Sequence, residues 1–138
     1  MERNFINPAC RVVLHPVNSL SRFAHINGVC HMTVIGPNYA IPATPGSVSL
    51  SDKPKDGVWE KKHTMSMSDA AISAVELGIL ARSPLVMEYR DERGRTMVSG
   101  SPTHPLTLEY QRGGGLVSLT LSGACSEPDT ERYDFDDV

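Results

Sequence analysis

The fold is decided between Thr64 and Ser122, where the chain runs TMSMSDAAISAVELGILARSPLVMEYRDERGRTMVSGSPTHPLTLEYQRGGGLVSLTLS. Residues 70–81 of this stretch are apolar except for Ser73, Glu76 and Gly78. Ser68 before them is a good N-cap, because its hydroxyl accepts a hydrogen bond from a free amide of the first helical turn. Pro84 lacks an amide proton and disfavours a helical conformation at Ser83. The sequence therefore predicts one helix over residues 69–82.

A helix this apolar is mostly covered, either by the sheet of its own chain or by another subunit. Gly78 lies inside it and costs about 1 kcal/mol relative to alanine. Two interpretations of Gly78 stay open: it marks the close approach of another backbone, or it is a tolerated defect.

After Pro84 the apolar residues recur at every second position, which is the period of a half-buried strand. Four such runs follow in series: Leu85–Arg90, Arg95–Ser99, Leu106–Tyr110 and Leu116–Ser122. Short turns separate them, including the charged segment Asp91–Gly94 and the glycine run Gly113–Gly115. The pattern predicts antiparallel strands with one apolar and one polar face.

A hairpin is predicted around Asn27-Gly28, since this dipeptide readily takes the two positive φ angles of a type I′ turn. The turn sets a register with the facing pairs Ile26–Val29, His25–Cys30, Ala24–His31 and Phe23–Met32. One apolar face is then shared by Phe23, Cys30, Met32 and Val34.

Three more strands are predicted at Cys10–Leu14, Ser47–Ser51 and Val58–Met67, with a polar turn at Asp52–Gly57. In the longest of these strands one face carries Trp59, Lys61, His63, Met65 and Met67. The predicted fold is α+β: an antiparallel β-sheet sandwich or open barrel of six to eight strands, with one helix packed on it.

The predicted single domain covers residues 1–126, and three appendages belong to it or follow it. Residues 1–8 are predicted to be a flexible arm. Residues 36–46 are predicted to be a stiff proline-rich loop without ladder hydrogen bonds. Residues 127–138 carry six acidic residues against one arginine and are predicted to be an acidic flexible tail.

Six side chains are candidate interaction residues. Tyr39 and Ile41 in the proline-rich loop either fold back onto the core or dock on a neighbouring subunit. Arg93 and Arg95 in the charged turn are able to register one subunit against another, because misplaced like charges are unfavourable at an interface. The remaining two candidates, Tyr133 and Phe135, are possible anchors within the acidic tail.

Length and composition describe an ordinary globular chain: 138 residues, 40% hydrophobic and 21% charged. A formal net charge of −3 gives no general attraction to nucleic acid or to an acidic membrane. No run approaches the roughly 20 apolar residues of a membrane span, and the start lacks an apolar signal core, so we expect a cytoplasmic protein. Three widely spaced cysteines indicate reduced, structural thiols.

No catalytic, cofactor-binding or metal site is predicted. The closest group of metal-ligand types is His25, Cys30 and His31, but His31 points to the opposite face of its strand. Cys30, His31 and Cys125 are only weak candidates for catalysis, since no nucleophile motif surrounds them. His63 and the lysines at positions 53, 55, 61 and 62 are interpreted as surface residues.

The segment of residues 84–123 resembles small prophage-encoded virion structural proteins of the tail and connector region. The resemblance lies in Leu85–Tyr89, the charged glycine turn after it, Val98–Pro102 and His104–Tyr110. It implies a structural or assembly role in a bacterial host, incorporation in a virion, and no catalytic residues.

The expected function is therefore that of a non-enzymatic structural or assembly protein, a phage-like tail or connector component. Its expected partners are further copies of itself and other particle proteins, with no nucleic acid and no membrane. Two alternatives stay open: a small binding module that holds a peptide or ligand on its sheet, and a small hydrolase-type enzyme.

Overall fold

Alternating polar and apolar residues along most of the chain give β-strands in the computed structural model, which describes residues 3–6, 11–44 and 46–133. The described residues form a single α-helix, α1 (Ala74–Arg82), and twelve strands. These are β1 (Arg3–Ile6), β2 (Val12–Pro16), β3 (Leu20–Ile26), β4 (Val29–Val34), β5 (Tyr39–Ile41), β6 (Ser49–Lys55), β7 (Val58–Ser68), β8 (Leu85–Arg90), β9 (Thr96–Ser99), β10 (Thr107–Gly113), β11 (Leu116–Cys125) and β12 (Thr130–Tyr133).

The strands form two sheets. The five-stranded sheet has the order β1-β6-β7-β11-β10, and the seven-stranded sheet has the order β3-β4-β12-β9-β8-β2-β5. All neighbours are antiparallel except β12 and β4, which run parallel. This confirms the predicted antiparallel α+β fold. The described residues contain twelve strands rather than six to eight: nine lie at the strand-like runs of the sequence, all of which pair, and three short ones form in the segments predicted as arm, loop and tail.

The hydrophobic core lies between the two sheets. Met65 and Leu119 of the five-stranded sheet belong to the same buried cluster as Leu14 and Met87 of the seven-stranded sheet. Successive side chains of a strand point to opposite faces. Val86, the neighbour of Met87, therefore lies on the other face of the seven-stranded sheet.

That other face carries a second, smaller apolar cluster made of Cys30, Met32, Val86 and Val98, with Phe23 and Val34 packed against it. The hairpin β3–β4 supplies half of it. Asn27 and Gly28 have φ angles of 54° and 79° at its turn. The four predicted pairs from Phe23–Met32 to Ile26–Val29 are those of the structure. Both the register and the shared apolar face of the hairpin are confirmed.

The helix is shorter at its start than predicted. Residues 69–71 form a 3-10 turn whose N-cap is Ser68, and extended backbone at Ile72 interrupts the helical conformation. The α-helix starts after Ser73, whose hydroxyl accepts from the Glu76 amide at 3.1 Å in a capping box. Its end at Arg82 is the one that Pro84 predicts.

Residues 36–46 do not remain a loop without ladder hydrogen bonds, as the prolines suggested. Tyr39–Ile41 forms β5, which pairs with β2 at the edge of the seven-stranded sheet. Pro37 and Pro42 flank this short strand and leave its own amides free to pair. Ile41 is buried, and Tyr39 is half-buried against the core. Both side chains therefore fold back onto the core of their own chain.

The two predicted terminal appendages also contribute strands. Arg3–Ile6, part of the predicted arm, pairs with β6. Thr130–Tyr133, part of the predicted acidic tail, lies inside the seven-stranded sheet between β4 and β9. The tail prediction is wrong for residues 129–133, because the buried charge of Asp129 has partners that local composition does not reveal. Phe135 lies outside the described residues.

The two glycines Gly78 and Gly123 lead to opposite predictions. A Cβ added at Gly78 meets nothing within 4 Å, so this residue is a tolerated defect of the helix rather than a close contact. Gly78→Ala should raise the free energy of unfolding by about 1 kcal/mol.

At Gly123 an added Cβ would lie 3.0 Å from the Pro105 carbonyl oxygen and 3.1 Å from Leu106 Cδ2. Gly123→Ala should therefore lower the free energy of unfolding. Urea unfolding of both variants measures the difference, and a change of the same sign in both would contradict the described packing.

Candidate functional site

Six polar side chains lie buried between the two sheets, and we call them the buried polar cluster. They come from both layers of the sandwich: β6 and β7 on one side, β8, β9 and the residue before β12 on the other. The members are Asp52, Lys61, His63, Tyr89, Ser99 and Asp129, all buried.

The alternation of β7 places two members of the cluster in the core. Lys61 and His63 share their face with Met65 and Met67, as the sequence pattern predicted. The interpretation of Lys61 and His63 as surface residues is wrong, because the seven-stranded sheet covers this face of β7. Lys53 and Lys62, on the opposite face, are exposed as expected.

Lys61 is the centre of the cluster. Its side chain has no exposed surface, and its Nζ donates to Asp52 Oδ1 at 2.8 Å and to Asp129 Oδ1 at 2.7 Å. Asp52 lies on β6, within the segment that the sequence predicted as a polar turn. Asp129 immediately precedes β12 of the other sheet. A single ammonium group therefore connects the two layers of the sandwich.

Asp129 is held by further hydrogen bonds. Its Oδ2 accepts from the Tyr89 hydroxyl at 2.6 Å, and its backbone amide donates to Asp52 Oδ2 at 2.8 Å. All four carboxylate oxygens of Asp52 and Asp129 thus accept a hydrogen bond. Burial alone would raise the pKa of Asp129, but electrostatic interactions with the neighbouring His63 ring and the Lys61 ammonium, and the hydrogen bonds from Lys61 and Tyr89, lower it overall.

His63 and Ser99 extend the cluster without forming a catalytic pair. His63 Nδ1 accepts from the Ser51 amide at 3.3 Å, so the ring proton lies on Nε2, which donates to Ser99 Oγ at 2.9 Å. A base for Ser99 would need a free lone pair on that same nitrogen. Burial also lowers the pKa of His63, which keeps the ring neutral.

A second polar group fixes β12 from the opposite face of its sheet. Glu88 Oε1 accepts from His15 Nε2 at 2.9 Å and from Arg132 Nη1 at 2.7 Å. Burial would raise the pKa of Glu88, but the His15 hydrogen bond and the Arg132 charge lower it overall. Strand β12 is therefore held by Asp129 on the core side and by Arg132 on the other.

In the charged turn, the candidate interaction residue Arg95 makes a side-chain contact within its own chain, whereas Arg93 contacts Asp91 only through its backbone amide. Asp91 is buried and accepts from the backbone amides of Arg93 and Arg95 at 3.0 and 2.8 Å. The Arg95 Nε also donates to Asp91, at 2.9 Å. Burial would raise the pKa of Asp91, but these hydrogen bonds and the Arg95 charge lower it overall. Arg93 is exposed and lacks such a side-chain contact with Asp91.

The candidate interaction residues that the structure describes lie on separate elements and do not converge on one surface. Tyr39 and Ile41 lie on β5 against the core, while Arg93 and Arg95 lie in the turn between β8 and β9. Tyr133 ends β12, and Phe135 is outside the described residues.

The three weak catalytic candidates lie in interior positions. Burial raises the pKa of Cys30 to about 12 and also raises that of Cys125, whose Sγ donates to the His104 carbonyl at 3.3 Å. Both are therefore thiols rather than nucleophilic thiolates at neutral pH. His31 is also buried. It follows Cys30 directly in β4, so its side chain points to the other face of that strand. Among the described residues no group of three His, Cys, Asp or Glu side chains is placed to hold a metal ion.

A shallow pocket of about 430 Å³ lies on the outer face of the five-stranded sheet. Ser51, Lys53, Lys62 and Ser122 line it, together with Glu60 and the backbone around Gly123.

No helix in the described ranges is long and apolar enough to cross a membrane.

Comparison with known proteins gives no relative from which to transfer a function. A scan against protein-family models, a search of curated proteins and a search of solved structures each found no match. The functional assignment therefore depends on the residues of this chain.

Lys61→Met should destabilise the protein strongly. It leaves two buried carboxylates without their cation, and breaking a buried ion pair from one side costs about 3–5 kcal/mol. Lys62→Met is the matched control, because Lys62 is the next residue of β7 but faces solvent; its effect should stay within about 0.5 kcal/mol. Urea unfolding midpoints measure the loss of stability in both variants. If Lys61→Met lowered stability as little as Lys62→Met, the Lys61 amine would be solvated rather than buried.

His63 should make stability fall below about pH 6.5, the ordinary histidine pKa. Its pKa is lowered in the folded state, so the unfolded chain binds a proton first as the pH falls and unfolding is favoured. His63→Gln should flatten this dependence, since an amide can still accept from Ser51 and donate to Ser99.

His25 provides the comparison. Burial lowers its pKa as well, but this side chain is only half-buried. His25→Gln should therefore remove a smaller part of the pH dependence of stability. Unfolding free energies between pH 5 and pH 8 measure these differences. An unchanged slope in His63→Gln would contradict the neutral buried ring.

Proposed function

We propose that this chain is a non-enzymatic structural protein that self-associates, as a tail or connector component of a phage-like particle. The observation that carries the proposal is the open edge of the five-stranded sheet at β10. Within the described residues β10 is hydrogen-bonded to β11 alone. Its outer edge supports the addition of a strand from a neighbouring chain, because the backbone groups there have no ladder partner.

The side chains of β10 favour contact with a protein partner. Thr107 and residues 109–113 are exposed, and Tyr110 keeps 38% of its surface in solvent. Helix α1 packs beside this strand. Two of its apolar residues are exposed: Val75 keeps 72% of its surface in solvent and Ile79 keeps 44%. Exposed apolar side chains on neighbouring elements are typical of an interaction surface when they are contiguous.

A second copy of this chain is the partner that the charges of β10 fit. Glu109 and Arg112 give the strand one charge of each sign. Two copies of the strand can therefore meet edge to edge without a net like-charge repulsion. Asp69 Oδ1 also lies 3.4 Å from Arg112 Nε. This ion pair connects the start of the helical segment to the same edge.

The assignment to a tail or connector component rests on the resemblance of residues 84–123 to prophage virion proteins. That segment extends over β8, β9 and β10 and most of β11, so it includes the proposed edge. Other particle proteins would then be further partners, and Arg93 in the exposed turn between β8 and β9 remains a proposed contact.

The pocket on the outer face of the five-stranded sheet favours a second candidate function, a binding module. Lys53 and Lys62 lie at its wall with the hydroxyls of Ser51 and Ser122. Ammonium and hydroxyl donors of this kind suit an acidic peptide or another negatively charged ligand laid on the sheet.

Tyr110→Lys should weaken self-association about tenfold, because a lysine on an edge strand blocks edge-to-edge pairing. Val58→Lys is the matched control. Val58 is also 38% exposed, but it is the first residue of β7, and β11 separates β7 from β10. Light scattering across protein concentration measures association of each full-length variant.

The proposal requires that the wild-type chain associates and that the Val58 variant behaves like it. A wild-type protein that stays monomeric at high concentration, or equal weakening in both variants, would contradict the proposed edge contact. Binding of an acidic peptide by that monomer would favour the binding module instead.

A further inference from the structure

The buried ammonium of Lys61 is the feature of the core that stability alone explains least. Replacing a buried ion pair with apolar side chains of similar volume is often neutral or stabilising. Here one amine and two carboxylates are enclosed between two apolar sheets, in positions where Met65 and Met67 continue the same strand face. Their placement suggests a chemical role for the amine.

The geometry brings a nucleophile and an electrophile together in a site that excludes water. Lys61 Nζ is 2.7 Å from Asp129 Oδ1, and neither side chain has exposed surface. An amine hydrogen-bonded to a carboxyl oxygen is near the attack distance to its carbon, about 3–3.5 Å. Orientation of this kind replaces a bimolecular encounter by an intramolecular one.

We propose that Lys61 and Asp129 form an intramolecular isopeptide bond, with Asp52 as the group that transfers protons. This modification joins β7 of the five-stranded sheet to the residue before β12 of the seven-stranded sheet. It does not depend on self-association of the chain.

The reaction begins with a proton transfer from the Lys61 ammonium to the Asp129 carboxylate. This step exchanges two buried charges for an amine and a carboxylic acid, and the neutral amine carries the lone pair that a nucleophile needs. The Nζ lone pair then attacks Asp129 Cγ, forming the C–N bond and moving the C=O electron pair onto oxygen.

Asp52 is placed to complete the reaction. Its Oδ1 already accepts from Lys61 Nζ at 2.8 Å, so it takes a proton from the attacking nitrogen and returns it to the leaving hydroxyl of Asp129. The C–O bond breaks, one water molecule leaves, and the net change is an amine plus a carboxylic acid giving an amide plus water. No oxidant, reductant or cofactor takes part.

Tyr89 distinguishes Asp129 from Asp52 as the carboxyl group that reacts. Its hydroxyl donates at 2.6 Å to Asp129 Oδ2, the oxygen on which negative charge develops during attack. Asp52 Oδ2 instead accepts from the Asp129 amide at 2.8 Å. In the product, the new amide N–H donates to Asp52 and the amide oxygen accepts from Tyr89, so every polar group remains paired.

The lowered pKa of Asp129 makes the neutral pair a minor species. The low population of the neutral pair slows the reaction, and the amide persists once formed because the enclosed site excludes the water that hydrolysis needs.

The test is the intact mass of the purified full-length protein under denaturing conditions, followed by peptide mapping. We expect a mass lower than the sequence mass by one water molecule, and a branched peptide that contains both Lys61 and Asp129. Asp129→Asn should lose one ammonia molecule instead, since the amide nitrogen of asparagine becomes the leaving group. Lys61→Arg and Asp129→Ala should keep their full masses.

Asp52→Ala should keep most molecules at full mass, because the proton carrier is gone. A folded wild-type protein at its full sequence mass after prolonged incubation, with the Lys61 and Asp129 peptides recovered separately, would overturn the proposal. A cross-link from Lys61 to Asp52 would overturn the choice of Asp129 as the acceptor.

Discussion

The ammonium group of Lys61, held between carboxylates of two different sheets, is the interaction on which the other polar contacts of the interior depend. It balances one of the two negative charges that Asp52 and Asp129 bring into the core. With the cation in place, the Tyr89 hydroxyl and the Asp129 amide complete the hydrogen bonding of both carboxylates. Buried charges without such partners are costly, so Lys61 holds the start of β12 on the core side of its sheet, while Arg132 and Glu88 hold the strand on the other face.

The local rules of chain geometry predicted the elements of this fold well. The Asn27-Gly28 turn determined the hairpin register residue by residue, because its two positive φ angles admit only one pairing of the flanking strands. Strand β8 was predicted with its bounds, and Pro84 ended the helix at the expected residue. These features depend on neighbours in sequence, which is why the sequence alone contains them.

The buried polar cluster depends on contacts between residues far apart in sequence. The alternation of β7 placed Lys61 and His63 on the face of Met65 and Met67, and this apolar neighbourhood was the available signal of burial. Composition favoured the opposite interpretation for Asp129, since acidic residues surround it in a segment that resembles a solvated tail. Its burial follows from Lys61, which lies 68 residues earlier in the chain.

The place of β12 in the sheet has a consequence for the order in which the chain folds. Strand β4 is hydrogen-bonded to β12, and β12 to β9, so the hairpin of residues 20–34 reaches the rest of its sheet through a strand near the C-terminal end. During synthesis the hairpin can form early, but its sheet stays divided until residues 130–133 have left the ribosome. Such distant pairing is slow because a long loop must close first, and closing it completes the sheet and brings Asp129 to Lys61.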